Sequence, residues 1–331
     1  MRRATLALVV AFAAAGLFAG RASAHAGLTA PAATSYLAKI STVPRGLEAK
    51  VVDGDQRLWL RVSPGVIAVV LGLRGEPYLR FSRHGVDVNT RSQTYFLNRA
   101  RPVLVPPGLT RDTPPVWKRI ASGPSTSWHE DRLHALALAT HPPGNSLLGP
   151  WLVPVLVNGR RTAVTGELWH AARPSLLWLW PLLLVLACVP ALLRLRDARL
   201  DGVATLGLAF LALASATAAR LGRELYGRPT VSTWQLVLAG GSCVVAVGLL
   251  VLVLRGDWRS VAAAAIGILA VCQGLALLGV LRNGYVLAAL PAWAERASAV
   301  AALASGGALL VVVILTPSRA RESRTDLAVS R

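Results

Sequence analysis

The first 187 residues contain no cysteine. The chain has three cysteines, Cys188, Cys243 and Cys272, and all of them lie in apolar runs of the C-terminal half. A small exported domain that depends on disulfide bonds would carry paired cysteines, so this class of scaffold is excluded for the N-terminal half. That half must be stabilised by burial of apolar side chains, which a segment of about 150 residues can achieve.

Charged residues are missing from five long apolar runs that follow residue 174. A helix needs about 20 apolar residues to cross ~30 Å of hydrocarbon, and each run is close to this length. The sequence, which is 54% hydrophobic, therefore predicts an α-helical transmembrane bundle of about five helices within residues 175–316. The predicted spans are 176–193, 203–219, 236–254, 261–281 and 297–315.

The N-terminus has the parts of a secretory signal peptide. Arg2 and Arg3 precede an apolar run, and Ala22-Ser23-Ala24 offers small residues before a cleavage point. We predict a signal peptide over residues 1–24 and a mature chain that begins at His25. An uncleaved N-terminal anchor is the alternative.

Export sets the orientation of the chain in the membrane. It places residues 25–174 outside the plasma membrane, and an odd number of spans then leaves a basic tail, residues 317–331, in the cytoplasm. Nine arginines in the inner segments against five in the outer loops agree with this multi-pass topology.

The exported segment, residues 25–174, has the pattern of a β-domain. A hairpin is predicted where Asn158-Gly159 separates two alternating runs, because this dipeptide suits a type I′ turn. Asp53-Gly54-Asp55 and Arg74-Gly75-Glu76-Pro77 mark further turns. Short strands at this spacing predict an all-β, immunoglobulin-like sandwich that leads directly into the first membrane helix.

The net charge of +19 predicts a partner of opposite sign. Nucleic acid is excluded as a partner because the β-domain faces outward, so we expect attraction to the headgroups of the lipid bilayer. The fifth apolar run begins with the small residues ASAVAALASGGA, which allow close helix packing, self-association or association with another membrane protein.

The heptapeptide WHEDRLH, residues 128–134, places a tryptophan, two imidazoles, two carboxylates and a guanidinium in seven positions. We define it as the Trp128 box. If it begins a strand that continues through ALALA, alternation puts Glu130, Arg132 and His134 on the core face, near its rim. A buried carboxylate and guanidinium need each other, so a structural Glu130–Arg132 ion pair beneath Trp128 is predicted, with His134 bonded to a backbone group.

Metal binding is the alternative interpretation of the Trp128 box. His129 and Asp131 share the opposite strand face, where an imidazole and a carboxylate can ligate one ion, with His134 as a further candidate. A free N-terminal His25 would add an amine and an imidazole, a donor set that suits Cu(II). The sequence contains no HxH, HExxH or CxxC motif that would further support a metal site.

Two resemblances bear on function. The stretch Ala24-His25-Ala26-Gly27-Leu28 resembles the start of the copper-binding CopC family, a small β-sandwich, and implies His25 as an N-terminal copper ligand. The chain departs from that family because its Ser-x-Pro and Asp-Gly-His motifs are missing. In layout the chain resembles uncharacterised actinobacterial envelope proteins that join an exported β-domain with a W-H-x-x-R-x-H-like box to membrane helices.

Enzymatic motifs are absent, including nucleophile elbows, Walker loops and Rossmann glycine patterns. The sequence therefore predicts a non-enzymatic binding or assembly module of the cell envelope, anchored in the plasma membrane. Copper binding or delivery at the outer face is the alternative. A transporter component is third, because the charge-free spans offer no ionisable group at mid-membrane depth.

Overall fold

The computed structural model describes residues 31–98, 104–139, 143–193, 198–255 and 259–315. The predicted signal peptide, His25 and the tail 317–331 lie outside the described residues. The described chain forms a β-domain over residues 33–170 that is followed by four apolar helices long enough to span a membrane.

The β-domain is built from antiparallel strands in three sheets. A seven-stranded sheet has the order β2-β11-β10-β5-β6-β7-β8, and a three-stranded sheet has the order β3-β4-β9. The first strand, β1, pairs only with β12 from the helical half. The strands are β1 (Ala33–Thr34), β2 (Tyr36–Thr42), β3 (Leu47–Val52), β4 (Arg57–Val62), β5 (Ala68–Leu71), β6 (Pro77–Ser82), β7 (Gly85–Asn89), β8 (Trp117–Ala121), β9 (Ser125–His129), β10 (Ser146–Val157), β11 (Arg160–His170) and β12 (Tyr285–Val286).

Local turn chemistry explains the hairpins. Asn158 and Gly159 have φ of 49° and 81°, as a type I′ turn requires, and they join the long strands β10 and β11. Asp53 and Gly54 also have positive φ and join β3 to β4. These predicted turns are confirmed, as is the β5–β6 hairpin.

One apolar core lies between the two larger sheets. Along β10 the side chains alternate, so that Trp151, Val153 and Val155 are buried while Leu152 is exposed. They meet Leu58 and Phe81 in a single buried cluster. The seven-plus-three division of strands differs from the four-plus-three division of a constant immunoglobulin domain, so the structure supports a multi-sheet antiparallel β-domain at this coarser level.

Among the described residues, four helices of the C-terminal half are long and apolar enough to span a membrane. The first predicted run becomes a 3₁₀ turn, Leu176–Leu179, followed by α3 (Trp180–Leu193), whose 14 described residues are fewer than a crossing needs. The four longer helices are α4 (Ala198–Glu224), α5 (Thr233–Leu254), α6 (Arg259–Ala276) and α8 (Ala292–Leu315), while α7 (Leu278–Arg282) is a short continuation of α6. Two short helices, α1 (Gln93–Leu97) and α2 (Ala135–Ala139), belong to the β-domain.

Helices α4 and α8 are longer than the apolar runs that predict them. Helix α4 continues past residue 219 to include Arg220, Arg223 and Glu224, and α8 begins five residues before its predicted start and includes Glu295. Arg220 pairs with Glu224 at 3.0 Å, and Glu295 is buried against Gly222 of α4. Charge burial at one end of the bundle therefore extends helices that composition alone would end earlier.

The β-domain and the helices meet in a specific junction, which we define as the contact of residues 31–35, 53 and 171 with residues 228 and 283–287. Strand β1 pairs antiparallel with β12, and Leu287 N donates to Ala32 O at 2.9 Å. Ser35 Oγ donates to Asn283 Oδ1 at 2.9 Å. Arg228 donates to Pro31 O at 3.0 Å and lies 3.6 Å from Asp53 Oδ1. Backbone pairing and side-chain contacts together hold the β-domain on the bundle.

Candidate functional site

The Trp128 box lies in the half of the β-domain that faces the helices. Strand β9 ends at His129, which is opposite Arg57 and next to the Asp53-Gly54-Asp55 turn. That turn touches β1, since a Cβ on Gly54 would stand 2.5 Å from Thr34 Cγ2. The His134 ring lies 5.5 Å from the Tyr36 ring, beside the strand that enters the junction.

The prediction that the box continues as a strand is wrong. Glu130 instead caps a 3₁₀ turn, Asp131–Leu133, and helix α2 follows. Strand β4 begins at Arg57, so beyond His129 there is no partner strand for β9 to pair with. The residues that face the core also differ from the predicted ones, because Leu133 and Ala137 are buried while Leu138 is exposed.

Glu130 and Arg132 form an ion pair at the centre of the box. Arg132 Nε donates to Glu130 Oε1 at 2.6 Å and Arg132 Nη2 donates to Glu130 Oε2 at 2.7 Å. Trp128 Nε1 donates to the same carboxylate at 2.9 Å, and Arg132 Nη2 also reaches Leu71 O at 3.1 Å. The buried charge is thus paired and hydrogen-bonded from several sides, which is the condition for tolerating it.

His129 and Asp131 form a second pair at the surface of the box. His129 Nε2 lies 2.9 Å from Asp131 Oδ1, and both side chains are 49% exposed. The hydrogen bond to Asp131 raises the pKa of His129, and the Gln56 carbonyl adds to the effect. The same hydrogen bond lowers the pKa of Asp131. The arrangement therefore favours an imidazolium beside a carboxylate, and this imidazolium must release a ring proton before it can ligate a metal.

His134 is bonded to a carboxylate, which corrects the prediction of a backbone partner. Its Nδ1 pairs with Asp55, a buried residue of the turn between β3 and β4. Burial raises the pKa of Asp55, and the contact with His134 opposes that rise. On the other side of Tyr36 lies His170, whose Nδ1 donates to Gly144 O at 2.7 Å.

The predicted metal ligands are therefore only partly brought together. His129 and Asp131 are adjacent, His134 is held by Asp55, and His25 lies outside the described residues. In the described part of the chain, no three His, Cys, Asp or Glu side chains are grouped as a metal-ion site.

Asp53, Asp55 and Arg228 are the site residues that sequence reasoning missed. The turn signal Asp-Gly-Asp was recognised, but its carboxylates contact residues that are distant in sequence, His134 on one side and Arg228 on the other. Burial raises the pKa of Asp53, opposed by Arg228 and Arg57. Two charged residues that flank a glycine in a tight turn are the local signal that could have pointed to these contacts.

Gln273 is a polar residue inside the bundle. It is buried on α6, and neither of its amide atoms has a hydrogen-bond partner among the residues that the structure describes. The carboxylate oxygens of Glu295 are in the same condition. A transport pathway through the bundle would be expected to involve these buried polar groups.

No protein-family model, curated protein or solved structure matches the chain. Geometry and chemistry alone therefore carry the assignment of function.

Replacing Arg132 by Met should destabilise the protein by about 3–5 kcal/mol, because it leaves the buried Glu130 carboxylate without its cation. The free energy of unfolding of the full chain in detergent would be measured by tryptophan fluorescence in urea. Arg111→Met, which removes an exposed pair with Asp112, is the control and should cost less than about 1 kcal/mol. Equal stabilities of the two variants would contradict a central role for the ion pair.

His129 should titrate above the ordinary histidine pKa of about 6.5. Because the folded pKa is raised, the stabilisation from this pair is fully present below pH ~6.5 and is lost as the pH rises through the folded pKa. In Asp131→Asn the pKa should move down, since its main cause is removed. Histidine NMR signals followed against pH measure both values, and an unchanged His129 pKa in the variant would refute the assignment.

Proposed function

We propose that the protein is a membrane-anchored binding and assembly module of the cell envelope. The observation that carries this proposal is the junction, where strand pairing joins the β-domain to the helices without a linker. A domain that is held in this way presents its polar surface at a fixed height and orientation. The proposed orientation is outward, with the signal peptide removed and the C-terminus in the cytoplasm.

The contacts in and next to the box favour recognition over catalysis. Arg57 Nη2 donates to Ser127 Oγ at 2.8 Å, and His129 is engaged by Asp131. A serine and a histidine that are satisfied by separate charged partners do not form a nucleophile–base pair. The half-exposed His129–Asp131 pair is instead a fixed donor and acceptor surface, supported from below by the Glu130–Arg132 ion pair.

Assembly is supported by the uneven packing of the helices. Only 22% of the apolar window of α5 is buried within the protein, against 44% to 50% for the other three spans. In the described structure nothing stands within 4 Å of a Cβ placed on Gly240, Gly241 or Gly248 of this helix. By contrast, Gly306 in the small-residue stretch of α8 packs against Ala270 of α6. Helix α5 therefore keeps an open small-residue face, which allows close approach of a second copy.

Self-association through α5 should depend on these glycines. Full-length protein labelled with donor and acceptor dyes should show concentration-dependent energy transfer in lipid vesicles. The double variant Gly240→Leu/Gly248→Leu should lose this transfer because the larger side chains hold the helices apart. Gly207→Leu on α4, also an open glycine, is the control and should retain it. Absence of energy transfer in the unmodified protein would reject self-association.

Copper binding is the second candidate, supported by the adjacency of His129 and Asp131 and by the resemblance at His25. Electron paramagnetic resonance of the full chain with one equivalent of Cu(II), after the N-terminus is determined, tests it directly. Nitrogen hyperfine structure that is lost in both His25→Ala and His129→Ala would support copper binding. A spectrum that is unchanged by both substitutions would exclude a copper site formed by these residues.

A further inference from the structure

Helix α2 lies at the end of the β-domain that faces the helices. It follows His134, whose ring contacts Tyr36, and Tyr36 is opposite His170 in the β2–β11 ladder. Ala171 N then donates to Ser35 O at 2.9 Å within the junction. The first apolar helical segment begins five residues later, at Leu176.

Helix α2 closes the apolar core at this end and has a second face that the core does not use. Ala137 is buried in the core, and Leu136 packs against it near Gly149. Leu138 points away from the core and is 76% exposed. Leu147, opposite Trp169 at the start of β10, is 49% exposed at the same end of the domain.

Further exposed apolar side chains follow shortly after β11, at the start of the helical half. Leu176, Leu177 and Trp180, at the start of the helical half, are all exposed to the outside of the protein. Only residues 171–175 separate them from β11. Tryptophan and leucine at this position are typical of the boundary between lipid headgroups and acyl chains.

We propose that α2 rests on the lipid leaflet that faces the β-domain, with Leu138 in the headgroup region and Leu147 beside it. The occupant of this surface is the bilayer itself, because the junction fixes α2 on the side where the helices enter lipid. The contact places the Trp128 box next to the membrane surface, so that the His129–Asp131 pair meets ligands that arrive along or within that surface. The inference holds for either orientation of the chain in the membrane.

The position of α2 can be measured with a fluorescent label. In a background where Cys188, Cys243 and Cys272 are replaced by alanine, an environment-sensitive dye is attached to Leu138→Cys. The matched control is Ile67→Cys, which is 52% exposed and lies at the opposite end of the domain, where Ile67 N bonds Asn158 Oδ1. Both proteins are reconstituted into phosphatidylcholine vesicles, with and without lipids that carry a nitroxide on the headgroup.

The dye at position 138 should show blue-shifted emission, loss of emission with nitroxide lipids and protection from iodide in the water. The dye at position 67 should show the reverse, and Leu147→Cys should behave like position 138. Because Leu138 is mostly exposed, its replacement removes little core packing, and an unchanged thermal unfolding midpoint verifies the fold. Iodide quenching at 138 equal to that at 67, or nitroxide quenching at both positions, would overturn the proposal.

Discussion

The pairing of β1 with β12 is the contact on which the rest of the arrangement depends. Two residues on each side form the ladder, and Leu287 extends it by one backbone hydrogen bond to Ala32. The pairing closes a loop of some 250 residues, so its local strength comes from the contacts around it. These are the buried cluster of Ala33, Ala219 and Leu277 and the side chain of Arg228.

The Asp53-Gly54-Asp55 turn connects this junction to the Trp128 box. Asp53 faces Arg228 of the helical half, and Asp55, two residues later, pairs with His134 at the end of the box. Gly54 permits the close approach of the turn to Thr34. The position of the box relative to the helices is therefore set by side chains that lie within one tight turn. A ligand bound at the box would be held at a fixed position relative to the ends of α4 and α8 that lie next to the junction.

Features encoded by neighbouring residues could be predicted from the sequence. The hairpin at Asn158-Gly159 and the apolar runs of α4, α5, α6 and α8 depend on local chemistry and composition, and the structure confirms them. The Glu130–Arg132 contact could also be predicted, because two opposite charges so close in sequence in a buried segment have few other partners. The residue at which β9 ends could not be predicted, because it depends on where the partner strand β4 begins.

Long-range contacts account for the remaining differences. Asp55 and His134 are 79 residues apart, and nothing in either local sequence indicates the other. The extension of α4 to Arg220 and Glu224, and of α8 to Glu295, depends on burial of these groups against other elements. A prediction based on hydropathy ends a helix at the first charged residue. In the folded chain the helix continues, because the charged side chains are paired or buried.

The distance between two spin labels would show whether the β-domain is rigidly attached to the helices. One label is placed at Ile67→Cys in the β-domain and the other at Leu225→Cys at the end of α4, in the cysteine-free background and in lipid. We expect one narrow distance distribution that becomes broad in Gly284→Val, where the new side chain would collide with Ala171. A broad distribution in the protein without the Gly284 substitution would show that the β-domain is a tethered, mobile domain and is not rigidly attached.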